Sequence, residues 1–279
     1  MMETVVNRLQ WSRWTLAGAC ALGFAALAGL PGCAARGGSG AADPGPEIVT
    51  PSDETETHRR ARIRLELAAN YFERGQTTVA LDEVKQALAT DASYADAYNL
   101  RGLIYMRLND FGPAEESFRR AAALRPGDPD VAHNHGWLLC QQKKFAEADQ
   151  QFQRALAMPS YTGRGKTYMA QGLCLEAADK PTEAEQSLLK SYELNPGNPV
   201  VGYHLAALAL HRSDLQHAQF YIRRLNNSEL ANAESLWLGI KIEKALGNQV
   251  AMRQLADQLR KRFPDSHELA AFERGAFNE

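Results

Sequence analysis

Small residues recur along this chain at a near-constant interval, and that interval constrains the fold more than any other feature. Ala80, Ala114, Ala148, Ala184, Ala218 and Ala251 follow one another at 34, 34, 36, 34 and 33 residues. Ala68, Gly102, Gly136, Gly172, Ala206 and Gly239 run in step with them. A third series, Ala92, Pro126, Pro196 and Pro264, closes units one, two, four and six. Self-similarity at this period marks one supersecondary unit stacked on copies of itself, each burying its apolar face on its neighbours. Stacking lets 279 residues fold without one outsized core.

Within each unit the apolar residues fall at helical spacing. In unit one Leu65, Leu67, Ala68 and Tyr71 share a stripe that ends before Gly75, and Ala80, Val84, Ala87 and Leu88 mark a second helix. Unit two repeats this with Tyr98, Gly102 and Tyr105, then Phe111, Ala114, Phe118 and Ala121. The pattern predicts two antiparallel helices per unit, about twelve in all, and a final short helix from His267 to Phe277. A small residue on each helix lets the pair cross closely, with aromatic and Leu side chains filling the space around the crossing. Proline at a unit's end stops the second helix.

The first 33 residues read as a leader. Arg8 and Arg13 precede an uncharged stretch from Trp14 to Gly32, too weakly apolar for a spanning helix. Leu30-Pro31-Gly32-Cys33 resembles a bacterial lipobox, in which the signal is cut before the Cys and the thiol is lipidated. This predicts a signal peptide over 1–32, lipidation of Cys33, and mature residues beginning Cys33-Ala34-Ala35. The absence of Asp after the Cys, by likeness to known lipoproteins, points to the outer membrane with the protein facing the periplasm. Residues 33–57 are rich in Gly, Ala, Ser, Pro and Glu, cannot offset their ordering entropy by burial, and read as a flexible tether. Such a chain spans on the order of 25–30 Å. The folded domain is then 58–279.

Composition excludes several function classes. The chain is 45% apolar and 23% charged with a net charge of −2, which suits a folded domain and not a nucleic-acid surface. Ser160-Tyr161-Thr162-Gly163-Arg164-Gly165-Lys166-Thr167 nearly spells a phosphate loop. It lacks the first glycine and the preceding strand, and reads as a longer connection between units three and four. His133 and His135 point to different sides of a helix, with no further ligands at metal spacing. No nucleophile motif or carboxylate pair stands out. The sequence therefore predicts no enzyme, cofactor, metal or nucleotide. Cys140 and Cys174 lie on the first helices of adjacent units. In an oxidising compartment they form a bridge, or else serve as two small buried apolar residues. Geometry decides between these.

The order Gly…Tyr…Ala…Phe…Ala…Pro at this spacing resembles the tetratricopeptide repeat, over about residues 61–264. Joined to a lipobox and a short tether, the array resembles the pilotin lipoproteins of type IV pilus systems. Particular points of likeness are Leu100-Arg101-Gly102-Leu103-Ile104-Tyr105 and Asn134-His135-Gly136-Trp137-Leu138-Leu139-Cys140. The resemblance implies an all-α, right-handed superhelix of six helix pairs whose first helices line a concave groove. Carried over position by position, the groove takes Leu65, Ala69 and Phe72 from unit one, Asn99, Leu103 and Met106 from unit two, and His133, Trp137 and Cys140 from unit three. Met169, Leu173 and Glu176 come from unit four, Tyr203 and Leu210 from unit five, and Leu236 and Ile240 from unit six. Such an apolar face suits an amphipathic helix or an apolar extended peptide. The implied function is an outer-membrane pilotin that binds the secretin subunit of a type IV pilus machine and promotes its localisation and assembly. Two other readings stand beside it: a lipoprotein scaffold of the β-barrel insertion machine, and a regulator of a cell-wall enzyme.

Overall fold

The structure is a computed structural model that describes residues 54–277. The signal segment 1–32, Cys33 and all but the last four residues of the tether segment lie outside the described residues. Thirteen helices and no strands make up the described residues. Unit one is α1 (Glu56–Glu73) with α2 (Thr77–Thr90), and unit two α3 (Ala95–Arg107) with α4 (Phe111–Leu124). Unit three is α5 (Pro129–Gln141) with α6 (Phe145–Ala157), and unit four α7 (Arg164–Ala177) with α8 (Pro181–Leu194). Unit five is α9 (Pro199–His211) with α10 (Leu215–Asn226), and unit six α11 (Ala233–Ala245) with α12 (Gln249–Arg262). A last helix, α13 (His267–Glu273), ends four residues earlier than the sequence predicts. The units stack side by side, each second helix packed against the first helix of the next unit.

Capping residues start the first helices. The Asp128 carboxylate accepts from the backbone N–H groups of Asp130 and Val131, and Asn198 does the same for Val200 and Val201. Each is followed by a proline at the first helical position, where no N–H is needed. Helix α11 has a reciprocal cap between Asn232 and Ser235. Thr55 caps α1, so helix begins two residues inside the segment read as tether.

Each hairpin turn requires one left-handed residue. Gly75 (φ 75°) and Gly247 (φ 71°) supply it in the first and last units. Asn109, Lys143, Asp179 and Ser213 occupy the same register with φ between 57° and 64°. The turn closes the helix in the usual way, with Gly75 N–H donating to Phe72 O and Gln76 N–H to Tyr71 O.

The small-residue registers are explained by contact. Ala80, Ala114, Ala148, Ala184 and Ala218 are fully buried. A Cβ at Gly102 would lie 2.5 Å from the Phe118 ring, one at Gly136 2.9 Å from Phe152, and one at Gly172 2.6 Å from Leu188. The glycines therefore make room for a side chain of the second helix as much as for its backbone. Ala251, the last of its series, is only partly buried, and Leu255, Ala256 and Leu259 carry the packing of α12. Leu67, read as part of the first stripe, is 38% exposed. The core is a chain of clusters along the array: around Ala68 and Val84, around Phe118, around Phe152, around Leu205, and around Leu236.

Candidate protein-binding groove

The first helices α1, α3, α5, α7 and α9 bring most of the predicted groove residues into a row. Leu65, Leu103, Trp137, Met169, Leu173 and Tyr203 are each partly buried. Their inner sides are anchored: Leu65 on the cluster of unit one, Leu103 and Trp137 on that around Phe118, and Met169 and Tyr203 on that around Leu205. Their outer sides remain open to solvent. Half-covered Leu, Met and aromatic side chains in a line are what an apolar peptide face needs.

Neighbouring side chains alter several positions in ways the register alone does not show. Met106 is only 8% exposed and packs with Leu138 of the next unit, so it forms floor rather than surface. The Arg107 guanidinium lies 3.9 Å from the centre of the Phe72 ring and donates to Phe72 O at 2.7 Å. Burial pulls the Arg107 pKa down, yet the aromatic face and carbonyl still hold the cation. Asn134 of the next unit donates from its Nδ2 to Asn99 Oδ1 at 3.0 Å. Glu176 and His204 pair at 2.8 Å across units four and five, a second polar contact along the row.

His133 is held in place by its own network. Its Nδ1 lies 2.9 Å from the Thr167 hydroxyl, which is 2.8 Å from the Tyr161 hydroxyl. Burial, aided by nearby Lys166, drives the His133 pKa down to about 3, so the ring is neutral near pH 7. This network also accounts for the phosphate-loop-like string. Gly165, Lys166 and Thr167 lie within α7, Thr167 is fully buried, and Lys166 Nζ pairs with Asp130 at 2.6 Å. The string ties units three and four together.

Cys140 and Cys174 are joined by a disulfide, with Cα atoms 5.8 Å apart. Cys140 lies four residues after Gly136, and Cys174 two after Gly172. In the unit before, Met106 and Leu138 hold the same two registers and pack together. The bridge thus replaces an apolar contact between successive first helices. At the far end Leu236 and Ile240 are fully buried. There α13 packs Leu269 and Ala271 into their cluster, and Phe272 and Phe277 lie 6.3 and 5.2 Å from Trp237. The row of half-open apolar residues therefore ends at unit five. Among the described residues, no three His, Cys, Asp or Glu side chains gather to hold a metal. No described helix is long and apolar enough to cross a membrane.

Comparison with known proteins agrees with this geometry. The tetratricopeptide-repeat family profile matches residues 65–129 and 133–199. The type IV pilus assembly protein PilF of Pseudomonas aeruginosa is 30% identical over 253 residues, covering 91% of this chain and 97% of PilF. The chain belongs to this family of tetratricopeptide-repeat type IV pilus assembly proteins. A solved structure of P. aeruginosa PilF superposes with a TM-score of 0.72 at 27% identity, over 79% of this chain and all of the other. That of PilW, a widely conserved type IV pilus biogenesis factor, gives 0.70 at 31% identity, over 76% and 97%. The pilus-assembly family thus accounts for nearly the whole array.

Proposed function

We propose that this protein is a lipid-anchored pilotin of a type IV pilus machine. It binds a segment of the secretin subunit in its concave groove and promotes the subunit's delivery to the outer membrane and assembly there. Lipid at Cys33 supplies the destination, residues 34–53 supply reach, and the first helices supply recognition. Membership of a pilus-assembly family sets the context. The observation that carries the reading is the row of partly buried Leu65, Leu103, Trp137, Met169 and Tyr203, each packed on a core cluster, with partly buried Leu173 among them. One acylated Cys bearing several chains anchors stably, since each buried CH₂ is worth about 0.8 kcal/mol.

Three substitutions test this. Leu173 stands outside the buried clusters of the described residues, so Leu173→Asp removes apolar surface with little cost to the core. Leu103→Asp acts more strongly but also touches the Phe118 cluster. Both should abolish co-purification of the secretin subunit, with far-UV circular dichroism unchanged for Leu173→Asp. Cys33→Ser should leave the folded protein out of the membrane fraction. If secretin multimers still accumulate at wild-type levels in the outer membrane of all three strains, the reading is wrong.

A further inference from the structure

We propose that a hollow in unit five receives one aromatic side chain of a partner polypeptide, flanked there by acidic residues. The site lies apart from the groove row and stands whether or not the groove binds a secretin. It begins with a register comparison. Four residues before the small residue of the first helix, units two and four carry Tyr98 and Tyr168. Each ring is partly buried, with a basic side chain from the second helix over it: Arg120 at 5.9 Å from the Tyr98 centre and Lys190 at 5.4 Å from Tyr168. In unit five the same position is Gly202.

The ring's place is left empty. Gly202 is buried, yet a Cβ built on it would meet nothing within 4 Å. It borders a hollow of about 100 Å³ walled by Tyr192, Tyr221, Leu225 and Leu230, with Pro199 and Asn198 at the start of α9. That volume is of the order in which engineered apolar cavities hold a small aromatic ring. Tyr192 and Tyr221 stand edge to face with centres 5.2 Å apart, so two aromatic walls are already ordered for a third ring.

A polar group at the rim specifies what flanks the ring. Arg224, also bordering the hollow, holds the register of Arg120 and Lys190, but its guanidinium lies 5.9 Å from the Tyr192 ring of the preceding unit. Among the described residues it meets no carboxylate, and its charge faces solvent. A tyrosine or phenylalanine with an adjacent Asp or Glu therefore matches both the cavity and its rim. Leu230, exposed beside the opening, adds apolar contact for the incoming chain.

The test uses the purified full chain with p-cresol as the tyrosine side-chain probe, followed by amide NMR. Saturable shifts are expected at Gly202, Leu225 and Leu230. Gly202→Tyr, which restores the ring of units two and four, should abolish them and raise the melting temperature. Gly202→Leu is the second filling variant should the tyrosine fail to fold. A short peptide with one tyrosine between two acidic residues should bind the same site more tightly than p-cresol, and Arg224→Glu should weaken it about threefold. The same peptide with alanine for tyrosine should not bind. Absence of saturable shifts up to the solubility limit of p-cresol would overturn the proposal, as would shifts that survive both filling variants. Equal binding of acidic and basic tyrosine peptides would overturn the acidic flank.

Discussion

Cys140 and Cys174 are bonded across two units although they do not occupy equivalent registers. The offset is what makes the bridge geometrically natural. A first helix reaches forward with one register and receives from behind with another, as Met106 and Leu138 show without sulfur. Closing a loop with a sequence separation of 34 should stabilise the array by roughly 3–4 kcal/mol in the chain-entropy account. Reduction with a strong thiol, or the double change to Ala, should lower the urea midpoint accordingly. Helicity below the transition should persist, since each unit still packs on two neighbours. An unchanged midpoint on complete reduction would show that the bridge contributes nothing.

The neutral His133 makes stability pH-dependent. Its folded pKa, near 3, is depressed from an ordinary 6.5 by burial. The unfolded chain therefore binds the proton first. The contribution is fully present above about pH 6.5 and is lost progressively as pH falls from there toward 3. Carboxylates titrate in the lower part of the same range, so the comparison must be with a variant. His133→Phe should flatten the fall in denaturation midpoint between pH 7 and pH 5. Parallel pH profiles for the two proteins would contradict the assignment.

Four non-glycine residues hold left-handed backbone at the hairpin turns. Lys143 (φ 61°) is the clearest, being exposed on the surface. The left-handed conformation costs an L-residue roughly 1–2 kcal/mol, partly offset in glycine by extra freedom in the unfolded chain. Lys143→Gly should therefore raise stability by about 0.5–1 kcal/mol. Calorimetry should register a small rise in melting temperature, while the reverse change, Gly75→Lys, lowers it.

Crossing glycines should be far less tolerant. Gly172→Ala brings a Cβ within 2.6 Å of Leu188 and 3.1 Å of Ala184 O. Leu188 is fully buried and cannot swing away freely. Overpacking of this kind costs about 1–3 kcal/mol. Gly112→Ala, where a Cβ meets nothing within 4 Å, is the matched control and should be neutral or slightly stabilising.

Much of this was legible in the sequence because a repeat fold is written in local spacing. The alanine and glycine registers locate every helix pair, since each unit must solve the same crossing with its own residues. Contacts between units are less legible, because they depend on which side chains meet from different registers. Arg107 over Phe72, Asn99 on Asn134, and Thr167 on His133 each join residues about one period apart, with nothing in either unit alone to announce them. The burial of Leu236 and Ile240 was hidden for another reason. It depends on where seven residues of α13 come to rest, and helical periodicity says where a helix begins and not what it covers. Gly202 was visible as a departure from Tyr98 and Tyr168, but only the packing around it shows that no other side chain moves in.

The placement of α13 gives the array a polarity that six like units would otherwise lack. Its aromatic residues stopper the trough at unit six, while the unit-one end stays clear among the described residues. On the proposed reading, a guest strand or helix longer than the open stretch would overhang at the α1 side, so the two ends of the array are not interchangeable to it.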